Sequence, residues 1–319
     1  MKTVITKSPL EAAEFIKRGG IVAFPTETVY GLGASVFDEA TIGRIFEAKR
    51  RPADNPLIAH IAVEQQIDLL AAEITEPARK FVAAFFPGPL TVVLKRSGKV
   101  PRNATAGLDT IGIRMPRLAI AQQFLAACGS PVVAPSANLS GRPSPTTWQA
   151  VTEDLGGRID CILQGDATEI GLESTVVDCT TDMPLVLRSG SVSIEQLREI
   201  VPITAAFAHD TIGAPRSPGV RHRHYSPRAR VILINFKSEI SDLKFTADTN
   251  RTAYIGVKKQ NKHFETERIC KTVDDYAHSV FEFFRECDRS GVNAIYCEEV
   301  EEMGIGIALM DRLRRAAAD

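Results

Sequence analysis

Stretches of apolar and polar residues change period along this chain, and each change marks an element. Ser8-Pro9-Leu10-Glu11 predicts a capping box with proline at the first helical position, and Gly19-Gly20 predicts the end of that helix. The apolar run at 21–24 predicts a strand that meets Pro25, and Asp38 predicts the cap of a helix running through Lys49. A strand at 57–62, helices near 64–71 and 75–86, and strands at 90–95 and 110–114 come next. Then follow a helix at 117–127, strands near 131–134, 160–164, 174–179 and 184–188, and a helix from Ser193. Helix–strand units with adjacent late strands predict an α/β fold, one twisted mixed sheet with helices packed on it.

The texture changes over 208–229. Pro215, Pro218, Pro227, Gly213 and Gly219 sit among histidines and arginines, with Asp210 as the single acid. A linker is expected there, but its charge is one-sided, unlike a neutral spacer. After it a smaller pattern predicts strands at 230–236, 252–257 and 293–297 and helices near 273–290 and 303–317. The expected organisation is a domain at 1–207, a linker or lid at 208–229, and a compact α/β domain at 230–319.

Composition narrows the function. The 319 residues are 44% hydrophobic and 24% charged, which suits a folded protein and excludes a largely disordered one. A net charge of −1 gives no global attraction for nucleic acid or an anionic membrane, so any anion site must be local. The opening MKTVITKSPLEAAEF lacks a signal-like apolar core and no run reaches transmembrane length, so a cytoplasmic protein with no membrane partner is expected. Six cysteines without a C-x-x-C pair point to neither a structural metal nor required disulfides.

Candidate chemistry lies in polar stretches far apart in sequence. KRRPADNPL at 49–57, PSANLSGRPSPTT at 135–147 and SPGVRHRHYSP at 217–227 place cations, hydroxyls and amides beside prolines and glycines, as loops around a polyanion do. No G-x-x-x-x-G-K-[ST] is present, and GLGASV and GIGIAL miss the third glycine of G-x-G-x-x-G. Gly31 and Gly33 therefore read first as tight-turn residues after a strand. Lys49, Arg50 and Arg51 read either as phosphate ligands or as a solvated helix end favoured by the helix dipole. Ser136, Asn138, Ser140, Ser144 and Thr146 read as a ligand loop after PVVA or as a capped turn. Arg114 in IGIRMP needs a partner, either a ligand carboxylate or phosphate or a structural salt bridge. His60 reads as a core histidine or a ligand contact, and Glu173, Ser174 and Thr175 as a strand edge or a site. Arg188 ends the strand PLVLRSGS. With no nucleophile–base signature, these groups would orient a substrate and neutralise charge, which nucleotidyl transfer mainly needs.

Taken together, PTETVYG, the K-x-R of Lys49 and Arg51, NPLIAHI, PGPLT, IGIRMP, PSANLSG, ESTVVDC, LRSG, SPGVRHRHYSP and GIGIALMDRLRRAA resemble the two-domain threonylcarbamoyl-AMP synthases over essentially the whole chain. The resemblance implies a YrdC-like mixed-sheet domain and a smaller Rossmann-like α/β domain. It implies that L-threonine, bicarbonate or CO2, and ATP carrying Mg2+ become threonylcarbamoyl-AMP and pyrophosphate. The product would pass to a downstream tRNA-modifying transferase complex, with a weak RNA contact also allowed. Carried onto this sequence, Thr28, His60, Arg114, Ser174 and the backbone of Ala134 are implied threonine contacts. Arg51, Asn55, Thr110, Ser136, Asn138, Ser144, Arg188 and Tyr225 are implied ATP contacts, and Lys49 and Arg51 the catalytic cations. His222 and Val220 depart from the family's usual aromatic residue and methionine. The reading from a different class is a non-catalytic RNA-binding module, which predicts a broad basic and aromatic face; aromatics are 7%.

Overall fold

The computed structural model describes residues 2–205, 225–235 and 251–318. Most of the expected 208–229 linker thus lies outside the described residues; its last five, 225–229, are within them. The first part of the chain runs β1 (Val4–Thr6), α1 (Pro9–Lys17), β2 (Val22–Phe24), β3 (Gly31–Ser35), α2 (Glu39–Lys49), β4 (Ile58–His60), α3 (Ile67–Leu70) and α4 (Glu76–Phe85). It continues with β5 (Leu90–Lys95), β6 (Thr110–Arg114), α5 (Ala119–Cys128), β7 (Val132–Ala134), α6 (Trp148–Leu155) and β8 (Cys161–Leu163). Then come β9 (Thr175–Asp178), β10 (Leu185–Arg188), α7 (Ile194–Ile200) and β11 (Thr204–Ala205). The second part holds β12 (Arg230–Ile234), β13 (Thr252–Gly256), β14 (Thr266–Ile269), α8 (Val273–Ser290), β15 (Ala294–Glu298) and α9 (Ile305–Ala317).

Eleven strands form one mixed sheet in the order β1-β8-β2-β3-β7-β4-β6-β5-β9-β10-β11. Side chains two apart on a strand share a face, and the sheet sorts them accordingly. Leu57, Ala59, Ile61, Ile111 and Ile113 pack on one face with Ile45 of α2 and Phe81 of α4. On the other face Phe24, Val132 and Ala134 pack with Ile16 of α1 and Phe124 of α5. The capping signals hold: Ser8 accepts from the Glu11 amide, Asp38 from Thr41, and Ser193 and Gln196 form a full capping box. At α1 only half of the expected box forms, because Glu11 Oε2 accepts from Thr6 Oγ1 instead.

Gly31 and Gly33 are not turn residues. Both lie in β3, where a Cβ on Gly33 would meet Val132 Cγ1 at 2.6 Å, so the glycines let β2, β3 and β7 close tightly. The short strands β1 and β14 are too brief to show a period, whereas α6, capped by Thr147 and apolar at Trp148, Val151 and Leu155, follows directly on the polar loop at 135–147.

The second sheet is parallel, in the order β12-β15-β13-β14. Phe281 and Phe284 of α8 and Leu309 and Leu313 of α9 cover one face, and Leu172 and Tyr225 join the same core. Gly171, at φ +82°, abuts the α8 backbone so closely that a Cβ would lie 2.5 Å from the His278 carbonyl oxygen. All six cysteines are buried and none is in a disulfide. Among the described residues no helix is long and apolar enough to cross a membrane.

Candidate functional site

An open cleft, about 720 Å³ with the solvent space at its mouth included, lies on the face of the large sheet that carries Phe24 and Val132. Ile58 and His60 enter it from β4, Arg114 from β6, Ala134 from β7 and Gly31 from β3. Parallel pairing of β4 with β6 sets His60 beside Arg114, and antiparallel pairing of β4 with β7 sets Ile58 beside Ala134. The loops at 135–144 and 173–174, together with Lys49, Arg51, Arg188 and Tyr225, complete the wall. The site therefore spreads over the sheet face rather than only beyond the strand ends.

The buried cations have different partners. Arg114 makes a 2.6 Å ion pair with fully buried Glu27, and donates to Thr28 Oγ1 at 2.7 Å and to the Gly88 carbonyl at 3.3 Å. The salt-bridge reading thus holds, while Arg114 also lines the cleft. A guanidinium has five N–H groups, so three contacts leave others for a bound carboxylate. Arg188 donates through Nη2 to the Ser174 carbonyl at 2.9 Å and to its hydroxyl at 3.1 Å, and Thr91 Oγ1 lies 2.8 Å from the same hydroxyl. Among the described residues Arg51 makes only long hydrogen bonds, 3.5 Å to the carbonyls of Asn55 and Pro56, and its buried Nε has no hydrogen-bond partner there. Burial draws its pKa down to about 10.

Lys49 departs from expectation. The solvated-helix-end reading fails for it, because the side chain is 1% exposed. Its Nζ donates to the carbonyls of Ser136 and Asn138, the latter at 2.5 Å. Lys49 ends α2 on the buried face that also carries Ile42, Ile45 and Phe46, and Arg50, left-handed at φ 52°, stops the helix immediately after it. Burial, with Arg51 adding to it, pushes the Lys49 ammonium well below its ordinary pKa. Lys49 pins the PSAN loop more directly than it faces solvent.

His60 is buried, edge-on to Phe24 with ring centroids 5.6 Å apart, and its Nδ1 lies 3.1 Å from the Ile58 carbonyl. Burial and then the Arg114 charge bring its pKa down to about 3, so it is neutral near pH 7. The hydroxyl loop is cross-tied: Ser136 Oγ donates to Asn138 Oδ1 at 2.6 Å, and Ser144 Oγ to Glu173 Oε1 at 2.6 Å. Burial alone would raise the Glu173 carboxyl, but Arg312, Arg188 and Ser144 together hold it below the ordinary carboxylate value. Tyr225, with φ 65°, stacks on Phe281 at 5.3 Å and reaches the cleft wall.

The cleft thus gathers Thr28, Lys49, Arg51, His60, Arg114, Ala134, Ser136, Asn138, Ser144, Ser174, Arg188 and Tyr225. Two expected residues stand apart. Thr110 opens β6 and lines a separate small cavity with Pro56, Leu57 and Gly112, and Asn55 is buried without lining the cleft. Sequence reasoning missed Glu27, although an acid inside the apolar PTETVYG and an arginine inside IGIRMP each demand a partner. It also missed Arg285 and Arg312, whose partners lie more than a hundred residues away.

Residues 14–190 match the Sua5, YciO and YrdC family model, described as telomere recombination. Residues 192–318 match the threonylcarbamoyl-AMP synthase C-terminal domain. The threonylcarbamoyl-AMP synthase of Pyrococcus abyssi is 44% identical, over 96% of this chain and 93% of that protein. That of Bacillus subtilis is 37% identical, over 96% and 92%. The crystal structure of P. abyssi Sua5 complexed with L-threonine superposes with a TM-score of 0.92 at 42% identity, covering 99% of this chain and 97% of that one. With both of its parts matched in order and near full-length relatives on this scale, the chain belongs to the threonylcarbamoyl-AMP synthase family.

Proposed function

We propose that this chain is an L-threonylcarbamoyladenylate synthase, a nucleotidyltransferase that forms threonylcarbamoyl-AMP and pyrophosphate from L-threonine, bicarbonate or CO2, and ATP. The observation that carries the reading is the convergence of Arg51, Arg114, Arg188 and the hydroxyl loop on one open cleft. That is a wall of fixed positive charge and donors suited to an amino-acid carboxylate and a triphosphate side by side. Similarity to synthases over nearly the whole chain favours catalysis over the RNA-binding reading.

In this reading Thr28, His60, Arg114, Ser174 and the Ala134 backbone hold threonine. Arg114, already oriented by Glu27 and Thr28, presents its remaining N–H groups to the carboxylate. Neutral His60 adds no positive charge beside the threonine amine, which must lose a proton before its nitrogen bonds to carbon dioxide. The new carbamate oxygen attacks the α-phosphorus, the bond from that phosphorus to the β-bridging oxygen breaks, and pyrophosphate departs. Arg51 and Arg188 offset the charge that develops on it, Lys49 holds the PSAN loop, and Ser136, Asn138, Ser144 and Tyr225 line the nucleotide side. Mg2+ enters on the triphosphate as part of the substrate. The product then passes to a tRNA-modifying transferase in the cytoplasm.

The test is pyrophosphate release by the purified full chain with each substrate omitted in turn. Release that requires ATP, L-threonine and bicarbonate together is expected. Release that is indifferent to threonine overturns the reading.

A further inference from the structure

Among the described residues lining the cleft, Glu173 is the one carboxylate, set against Lys49, Arg51, Arg114, Arg142 and Arg188. A buried negative charge on that wall opposes any polyanion unless something cancels it. The group that cancels it comes from the far end of the chain. Arg312 of α9, 1% exposed, donates from Nε to Glu173 Oε2 at 3.0 Å. The other oxygen of Glu173 accepts from Ser144, so one carboxylate joins α9 to the hydroxyl loop. The Arg312 guanidinium also lies 5.6 Å from the centre of the Tyr225 ring, and its Nη1 pairs with Asp311 at 3.0 Å. Arg312 itself does not line the cleft.

We infer that Arg312 is a positioning residue for the nucleotide. It cancels the Glu173 charge that would otherwise face a polyanion on the cleft wall, so the second unit sets how well the first accepts a nucleoside triphosphate. The inference rests on the ATP reading above and adds a residue outside the cleft to it. Asp311, which pairs with Arg312, also accepts from Arg315, so replacing Arg312 leaves Glu173 as the carboxylate without its cation and makes a charge series possible.

The experiment uses the full chain as Arg312→Met, Arg312→Lys and the double variant Arg312→Met with Glu173→Gln, with melting temperatures measured alongside. Pyrophosphate release gives KM for ATP and for threonine, and calorimetry gives ATP binding without threonine. In Arg312→Met the KM for ATP rises about tenfold or more while that for threonine stays within about twofold. Arg312→Lys, which keeps the charge, and the double variant, which removes both charges, stay within about threefold of the parent for ATP. An unchanged KM for ATP in Arg312→Met overturns the inference, as does a parallel rise for both substrates. A double variant no better than the single also overturns it, since only packing would then be at stake. If Arg312→Met does not fold, Arg312→Lys and the double variant decide by the same limits. If the parent releases no pyrophosphate the catalytic reading fails, while ATP calorimetry across the series still tests the role of Arg312.

Discussion

The two units of this molecule bury arginines in opposite senses. Those of the first unit serve its own sheet: Arg114 pairs with Glu27, and Arg188 holds Ser174. Those of the second unit reach outward. Arg285 of α8 pairs with Asp154 at 2.9 Å and donates to the Pro143 carbonyl, and Arg312 of α9 pairs with Glu173. Asp154 in turn binds Arg142 and the Leu139 amide, so α8 grips the loop that forms one wall of the cleft. One sheet therefore builds the site while the other braces its loops. A buried guanidinium whose partner lies across the interface makes docking specific, because misdocking strands both charges.

The largest expected effect is inside the first unit. Arg114→Ala leaves fully buried Glu27 unpaired and should cost about 3–5 kcal/mol in urea unfolding, with a threonine KM raised more than that for ATP. Combining Arg114→Met with Glu27→Gln should recover stability but not threonine use. Recovery of both would make the pair purely structural.

Across the interface, Arg285→Ala should cost roughly 3 kcal/mol, the lower end because Asp154 keeps Arg142. Unfolding that stays cooperative with the parent's midpoint would show that the units are independent and break the contrast drawn above.

Lys49→Ala should cost about 1–3 kcal/mol, since the carbonyls of Ser136 and Asn138 lose their donor. Turnover should fall in the folded fraction as well. Full stability with lost turnover would return Lys49 to a purely phosphate-facing role.

His60 gives a smaller, pH-dependent term. Its pKa is about 3 in the folded chain against roughly 6.5 when unfolded, so below that value the unfolded state takes the proton first. Its contribution is complete above pH 6.5 and is lost as pH falls toward 3, at no more than about 1.4 kcal/mol per pH unit. Urea midpoints between pH 7 and 4 should fall less steeply in His60→Gln than in the parent; parallel slopes would mean that His60 is protonated in the fold.

The smallest effect belongs to Arg289, whose contacts with Glu153 and Glu282 are half exposed. Arg289→Ala should change stability by less than about 1 kcal/mol. A loss comparable to that of Arg285→Ala would mean that burial does not separate the two arginines.

Much of this was legible locally. Helix ends depend on neighbours within four residues, so Ser8, Asp38 and Ser193 announced their caps. Strand β6 follows from its own residues, and its bounds at 110–114 match the pattern. The motifs that carry the family resemblance brought twelve of the expected site residues to one cleft, whereas Thr110 and Asn55 lie outside it. Their placement depends on which way the chain turns after Pro56 and on how β4 pairs with β6, and neither is a local property.

The sequence by itself determined most of the elements, the two α/β units and the family, because periodicity, caps and motif residues act over short spans. Only the tertiary structure decided what each charge does. Lys49 reads as a phosphate ligand or a solvated helix end, but the PSAN loop covers it and its Nζ donates to the Asn138 carbonyl. Glu173 reads as a strand-edge acid, but packing of α9 places Arg312 against it from 139 positions away. A charge takes its role from the dielectric and the partner around it, and both are set by chain segments that meet only when the sheets close on each other.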